Sequence, residues 1–417
     1  MTGGVLIRIS SMGMAFIAHL MMARLLGGDQ YGTYVYAVTM ASATMMFMVG
    51  GLDIILLRVV GENLVENFNK IPKKFIKWIS QKLLIRCLLV LIGLLIVIPL
   101  SQVNAEWMNP FRILEPTSII MALGTLSIAC VQATGKAVLA QFLNLATGQM
   151  IFLLMLSIMA LSQYDLTSTT MAWIQATSSF SVLILSIFLL IRSNLLLIDS
   201  KKKEASKWNR EAKRMFWFVI LGFGIAKVDI LTLGHWHEMK EVGCYNIAVR
   251  MADMVSMFLT ASNIYMAPRI ASLYKNKEMN QLQNMITRTT RTVFAGALLV
   301  GTALIVFGPL VLSWYGKEFN KSYIPMLILI CGHLVNVALG PVGYFLAMVD
   351  RSDLLIRAYT FGFIIIILLA STLIPAWGTL GAAIANTSAM IAWNLLMFYW
   401  ICKYLKINTS ILVKING

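Results

Sequence analysis

Eight ionisable side chains lie inside or at the edges of long apolar runs: Arg8, His19, Arg24, Asp53, Lys227, Asp229, Arg250 and Asp253. A charge within a membrane span costs about 2.5–3.5 kcal/mol on insertion scales, so each is a candidate for function. The chemistry open to them is the binding and movement of charge. An Arg guanidinium matches a phosphate bidentately, and a Lys ammonium acts as a point charge. A carboxylate that changes partner between two states couples a movement to a proton or sodium gradient.

Each residue has a structural reading beside the functional one. Lys227 is the deepest basic group, either an anion contact or a lysine paired with an acid. Arg250 and Asp253 are i,i+3 neighbours on one helix face. Asp229 and Arg250 are each placed about 10 Å from the hairpin that joins their helices, so the three are expected to meet. They form either a self-neutralising cluster or a gating and ion-coupling network. Lys227 and Asp229, two residues apart, point to different sides. Arg8 and His19 share a polar stripe with Ser11 and Ala15; Arg8 snorkels or faces a cavity, and His19 packs or senses pH. Arg24 precedes Gly27 and Gly28 at an external turn and steadies the turn or touches lipid. Asp53 pairs with Arg58, caps a neighbour or takes part in coupling.

The elements that position them follow from composition. The 417 residues are 59% apolar and 12% charged, with a mean hydropathy of +0.79. Soluble chains carry about 25% charged residues, so a soluble enzyme, a secreted domain and a disordered chain are excluded. Twelve apolar spans are read at 5–25, 34–57, 83–101, 116–135, 139–161, 170–191, 215–235, 244–266, 292–313, 323–348, 354–374 and 381–402. Each approaches the ~20 residues that cross a bilayer. The first has no small-residue cleavage site after it and is read as a retained span. The reading is an all-α polytopic integral membrane protein.

Of the 34 Lys and Arg, 27 fall on the side of the N-terminus, five on the other side and two within spans. This places both termini in the cytoplasm. The net charge of +16 therefore belongs to loops, not to a nucleic-acid surface. The five cysteines are scattered and form no C-x-x-C, so neither a disulfide framework nor a metal site is expected. No P-loop motif occurs, and no cofactor is expected. Gly340-Pro341 predicts a kink in the tenth span, suited to a bending gate.

The basic stretch 192–214 divides the chain into residues 1–191, an N-terminal six-helix lobe, and 215–402, a C-terminal one, followed by a cytoplasmic tail at 403–417. A repeat supports the division. Gly32-x-Tyr34-x-x-Ala37 recurs as Gly243-x-Tyr245-x-x-Ala248, an offset of 211, with Phe47 matching Phe258 and Arg58 matching Arg269. Even-numbered halves make parallel repeats. The Lys201-Lys202-Lys203 run is a positive-inside loop, with a contact to anionic headgroups or to an assembly partner as the alternatives.

Several segments resemble the Wzx-type polysaccharide flippases of the MOP exporter superfamily. They are Ala23-Arg24-Leu25-Leu26-Gly27 with Gln30-Tyr31-Gly32-Thr33-Tyr34, Gly51-Leu52-Asp53 through Arg58, Glu241-Val242-Gly243-Cys244-Tyr245-Asn246-Ile247-Ala248, Ala267-Pro268-Arg269, and Ile374-Pro375-Ala376-Trp377-Gly378-Thr379-Leu380-Gly381-Ala382-Ala383. The resemblance spans nearly the whole chain. It implies two six-helix lobes around a central cavity and alternating access. It also implies flipping of undecaprenyl-diphosphate-linked oligosaccharide across the bacterial cytoplasmic membrane for O-antigen or exopolysaccharide synthesis. Lys227, Arg250, Arg24, Arg8 and His19 would then face substrate, and Asp229, Asp253 and Asp53 would serve coupling. Membrane lipids and a polysaccharide polymerase assembly are the implied partners. An ion-coupled multidrug or metabolite antiporter of the same superfamily is the alternative, and a membrane-bound polymerase or ligase is disfavoured by the lack of a large external loop.

Overall fold

The computed structural model describes residues 2–66, 70–100, 106–162, 165–193, 196–198 and 205–412. In chain order the elements are α1 (Thr2–Val49), α2 (Leu52–Glu66), β1 (Lys70–Pro72), α3 (Lys73–Leu100), α4 (Met108–Ala133), α5 (Ala137–Phe142), a π-helical turn (Leu143–Thr147), α6 (Gly148–Leu161), α7 (Ser168–Ile191) and β2 (Leu196–Ile198). There follow α8 (Ala205–Trp236), α9 (Met239–Lys275), α10 (Met279–Tyr315), a 3-10 turn (Lys317–Ser322), α11 (Tyr323–Leu339), α12 (Val342–Met348), α13 (Ser352–Trp400) and a second π-helical turn (Ile401–Leu405).

Among the described residues, nine helical stretches are long and apolar enough to cross a membrane. Two of them each merge two helices at a glycine with positive φ: Gly27 (φ 73°) breaks α1 and Gly378 (φ 53°) breaks α13. α9 falls outside the nine because Asn246, Arg250 and Asp253 interrupt its apolar sequence. Counting the two broken helices twice and adding α9 recovers the twelve expected spans.

Their limits differ in places. The second span ends at Val49, not residue 57, because Gly50 and Gly51 (φ 40° and 78°) turn the chain before α2. The eighth starts at Met239 rather than 244. Residues 205–214 form the first turns of α8, whereas Lys201, Lys202 and Lys203 lie outside the described residues. A short parallel ladder of β1 on β2, pairing Ile71 with Leu197, joins two loops and was not foreseen in an all-α chain.

The chain forms two compact units, Met1–Phe223 and Gly224–Gly417. In the first, α4 is central, with half of its apolar window buried against 11% for α3. Leu84, Ile85, Leu88, Leu89, Leu91, Ile92 and Leu95 of α3 are exposed, as a lipid-facing helix requires. Small residues let α1 approach α4: Ala37 and Ala41 pack on Met108, Phe111 and Leu114. At one end Phe75, Trp78 and Trp208 stack together, and Trp78 Nε1 donates to Asn209 Oδ1 at 3.1 Å. Arg86 Nη1 donates to the terminal carbonyls of α1, including Val49 O at 2.7 Å, and lies 4.9 Å from the Phe216 ring centre. This cation satisfies the negative end of a helix dipole.

In the second unit, Gly340 (φ 80°) and Pro341 break the tenth span outright rather than kinking it. The segment after α13 closes the break. Thr409 Oγ1 donates to Leu339 O at 2.7 Å, Ile411 N to Ala338 O at 3.1 Å, and Gln283 Nε2 to Asn408 O at 2.6 Å. A methyl at Gly340 would collide with Thr409 O, in a conformation that L side chains rarely adopt. Gly340→Ala is therefore expected to destabilise the protein by ~2 kcal/mol. The check is thermal unfolding in detergent, where an unchanged melting temperature would contradict the tail's role as a brace.

Candidate functional site

The site is built on α8, α9, α11 and α13 of the second unit. α8 ends at Trp236 and α9 begins at Met239, so depth is counted from that hairpin. At 1.5 Å per residue Asp229 lies about 10 Å in and Tyr245 about 9 Å, whereas Arg250 lies about 16 Å in. Asp229 is therefore level with Tyr245 rather than with Arg250.

The bonds agree with those depths. Asp229 is 1% exposed. Its Oδ2 accepts from Tyr245 Oη at 2.6 Å and from Asn386 Nδ2 at 2.7 Å, and its Oδ1 accepts from Ile230 N at 2.7 Å. A carboxylate with this many donors is held in place without a cation in contact.

The expected Asp229–Arg250–Asp253 cluster does not form. Asp253 instead lies 3.4 Å from His333 Nε2 on α11. Arg250 is half-buried, and its Nε is buried with no hydrogen-bond partner. The sequence reading placed the start of α9 too late, and five extra residues move Arg250 below Asp229. Lys227 is half-buried and makes no ion pair at contact distance among the described residues. Arg250, Asp229 and Asp253 all act on it electrostatically. At about 14 Å from the hairpin it is close to the level of Arg250. Two basic groups thus share one depth in this unit, with the nearby carboxylates bonded elsewhere.

The other named residues lie in the first unit. His19 is buried, and its Nδ1 is 3.0 Å from the Tyr31 hydroxyl, across the turn at Gly27. Arg24 is exposed at that turn. Arg8 is half-buried, and its carbonyl accepts from Ser11 Oγ. Asp53 sits in the first turn of α2, where backbone N–H groups of residues 53 and 54 face its carboxylate. It does not pair with Arg58, which reaches Glu211 at 3.6 Å.

The sequence repeat reappears as bonding. Tyr34 Oη donates to Gln175 Oε1 at 3.3 Å in the first unit. Tyr245 and Asn386, each 211 residues further on, share Asp229 in the second. Gln30 Oε1 accepts from Ser168 N at the start of α7. Its counterpart Glu241 lies against Gly378, beside the counterpart of Ser168. Position 18, which corresponds to Asp229, is a buried alanine, so the acid belongs to one unit only. Sequence reasoning passed over His333, although a histidine within an apolar run was a signal. It also quoted Tyr245 without joining it to Asp229.

Residues 21–324 match the family described as polysaccharide biosynthesis protein. Probable flippase AglR of Haloferax volcanii is 28% identical over 174 residues, 40% of this chain and 36% of that protein. Probable low-salt glycan biosynthesis flippase Agl15 of the same organism is 19% identical over 188 residues, 45% of this chain and 40% of that protein. The alignments thus span less than half the length of these relatives. Among solved structures, an inward-facing multidrug resistance MATE family transporter of the MOP superfamily superimposes with a TM-score of 0.73 at 10% identity, over 96% of this chain and 98% of that one. The lipid II flippase MurJ in an inward closed conformation gives 0.68 at 12% identity, over 95% and 87%. At these identities the likeness shows the fold.

Proposed function

We propose a transport function from one premise: the chain belongs to the polysaccharide biosynthesis protein family. It is a multi-pass membrane protein of the MATE-like fold. In this proposal it carries undecaprenyl-diphosphate-linked oligosaccharide from the inner to the outer leaflet of the bacterial cytoplasmic membrane by alternating access. No covalent bond is made or broken.

The observation that carries the reading is the pair of Lys227 and Arg250. A diphosphate crossing hydrocarbon must exchange its water for donors and positive charge. These two cations lie near mid-span at one level, and neither is in contact with a carboxylate among the described residues. The Asp229 and Asp253 carboxylates that act on Lys227 are bonded to other groups, and such a pair of cations repels itself in a low-dielectric setting. Bound to a diphosphate it is neutralised, which is what gives the site its preference for phosphate over cationic drugs. Proton or sodium coupling falls to Asp229, the buried acid held by Tyr245 and Asn386.

The test is a deletion strain complemented with the full chain. Accumulated lipid-linked repeat units together with lost surface polymer, both reversed by the wild-type chain, are the expected result. Normal polymer with raised sensitivity to cationic drugs would overturn it and favour the antiporter.

A further inference from the structure

The first unit contains a cavity of about 290 Å³ between α1, α4, α6 and α7, near the middle of the helices that line it. No residue lining it is charged. Its polar groups are Thr125, Asn144, Gln149, Gln175, Ser178 and Ser179. Four of these are engaged with the protein. Gln175 accepts from Tyr34 and donates to Ser179 Oγ, Ser178 Oγ donates to Gly148 O at 2.7 Å, and Thr125 Oγ1 donates to Met121 O at 2.9 Å.

Asn144 and Gln149 differ. Neither amide has a hydrogen-bond partner among the described residues, and Asn144 is exposed. Asn144 lies in the π-helical turn Leu143–Thr147 that interrupts the span between α5 and α6. Such turns recur at functional sites because the extra residue redirects a side chain. Inside a membrane an amide without a protein partner needs water or a ligand.

On the transport reading above, we infer that this cavity is a binding site for an uncharged sugar unit of the cargo, contacted by the Asn144 and Gln149 amides. The lining chemistry selects the class. Amides and hydroxyls both donate and accept, as sugar hydroxyl and acetamido groups do. With no lysine or arginine the cavity offers a diphosphate no countercharge, and with no carboxylate it offers none to a cationic drug. Its volume lies at the low end of the ~300–1,000 Å³ of small-molecule sites, room for a sugar unit rather than an oligosaccharide.

The experiment uses the full chain in phospholipid nanodiscs, free of glycoside detergent, and titrates two probes by calorimetry. One is citronellyl diphosphate; the other is the same lipid carrying N-acetylglucosamine or glucose. The wild type is expected to bind a sugar-bearing probe more tightly. Asn144→Leu with Gln149→Leu should weaken that probe by about tenfold and leave the sugar-free one unchanged. These side chains make no hydrogen bond among the described residues, so their loss removes none of those bonds. An unchanged sugar-bearing probe, or equal weakening of both, overturns the cavity assignment while the transport reading stands. No binding of either probe to the wild type overturns both.

Discussion

Arg250→Ala is expected to lower the rate of lipid-linked glycan flipping about 10- to 100-fold, and Lys227→Met to do the same. The measure is translocation of a fluorescent lipid-linked oligosaccharide in reconstituted vesicles. The size follows from a charge-assisted bond to phosphate, worth about 1.5–3 kcal/mol. Folding should survive because no carboxylate is orphaned. Asp253 bonds to His333 and Asp229 to Tyr245 and Asn386. Arg250 Nε has no partner to lose. Arg250→Lys should keep part of the rate, since it retains the charge but not the fork geometry. If the ionic role were structural, both variants would instead melt early with flipping scaled only to the folded amount. Wild-type flipping by either variant would remove that residue from the anion site.

The same comparison of depths explains what the sequence revealed. The spans were legible because ~20-residue apolar runs have few other uses. The repeat was legible from Tyr34 and Tyr245, which occupy corresponding positions but donate to different partners, Gln175 and Asp229. The partner of Arg250 was not legible. It depends on where α9 begins, and moving that start from 244 to 239 changes the level by more than a helical turn. Asp53 was misplaced for a similar reason, because the Gly50-Gly51 turn puts it on a new helix. Asn144 and Gln149 were legible as polar residues of the fifth span that suit a transport path, whereas the cavity they share with Gln175 forms only when the packed helices bring them together. His19 illustrates the reverse: a conspicuous residue whose ring nitrogen is engaged by Tyr31.

Asp229 gives the second large effect, and three variants separate its roles. Asp229→Ala removes the acceptor of Tyr245 Oη and Asn386 Nδ2. Each buried donor left unsatisfied costs roughly 1–3 kcal/mol, so poor expression and early melting are expected. Asp229→Asn keeps one acceptor oxygen for both donors and gives up the bond from Ile230 N. It should fold nearly as well as the wild type. Its charge is gone, however, and flipping should no longer respond to an imposed proton or sodium gradient. A folded Asp229→Asn protein with wild-type gradient dependence would reduce Asp229 to a packing role. Tyr245→Phe and Tyr34→Phe complete the comparison, because the two hydroxyls are equivalent by position and differ by one carboxylate. Tyr34 donates to a neutral amide and should cost about 1 kcal/mol with no change in coupling. Tyr245 donates to the buried acid, and a hydrogen bond to a charged group is worth about 1.5–3 kcal/mol. Only Tyr245→Phe should therefore alter the gradient dependence along with stability, an asymmetry that a purely architectural repeat would not produce.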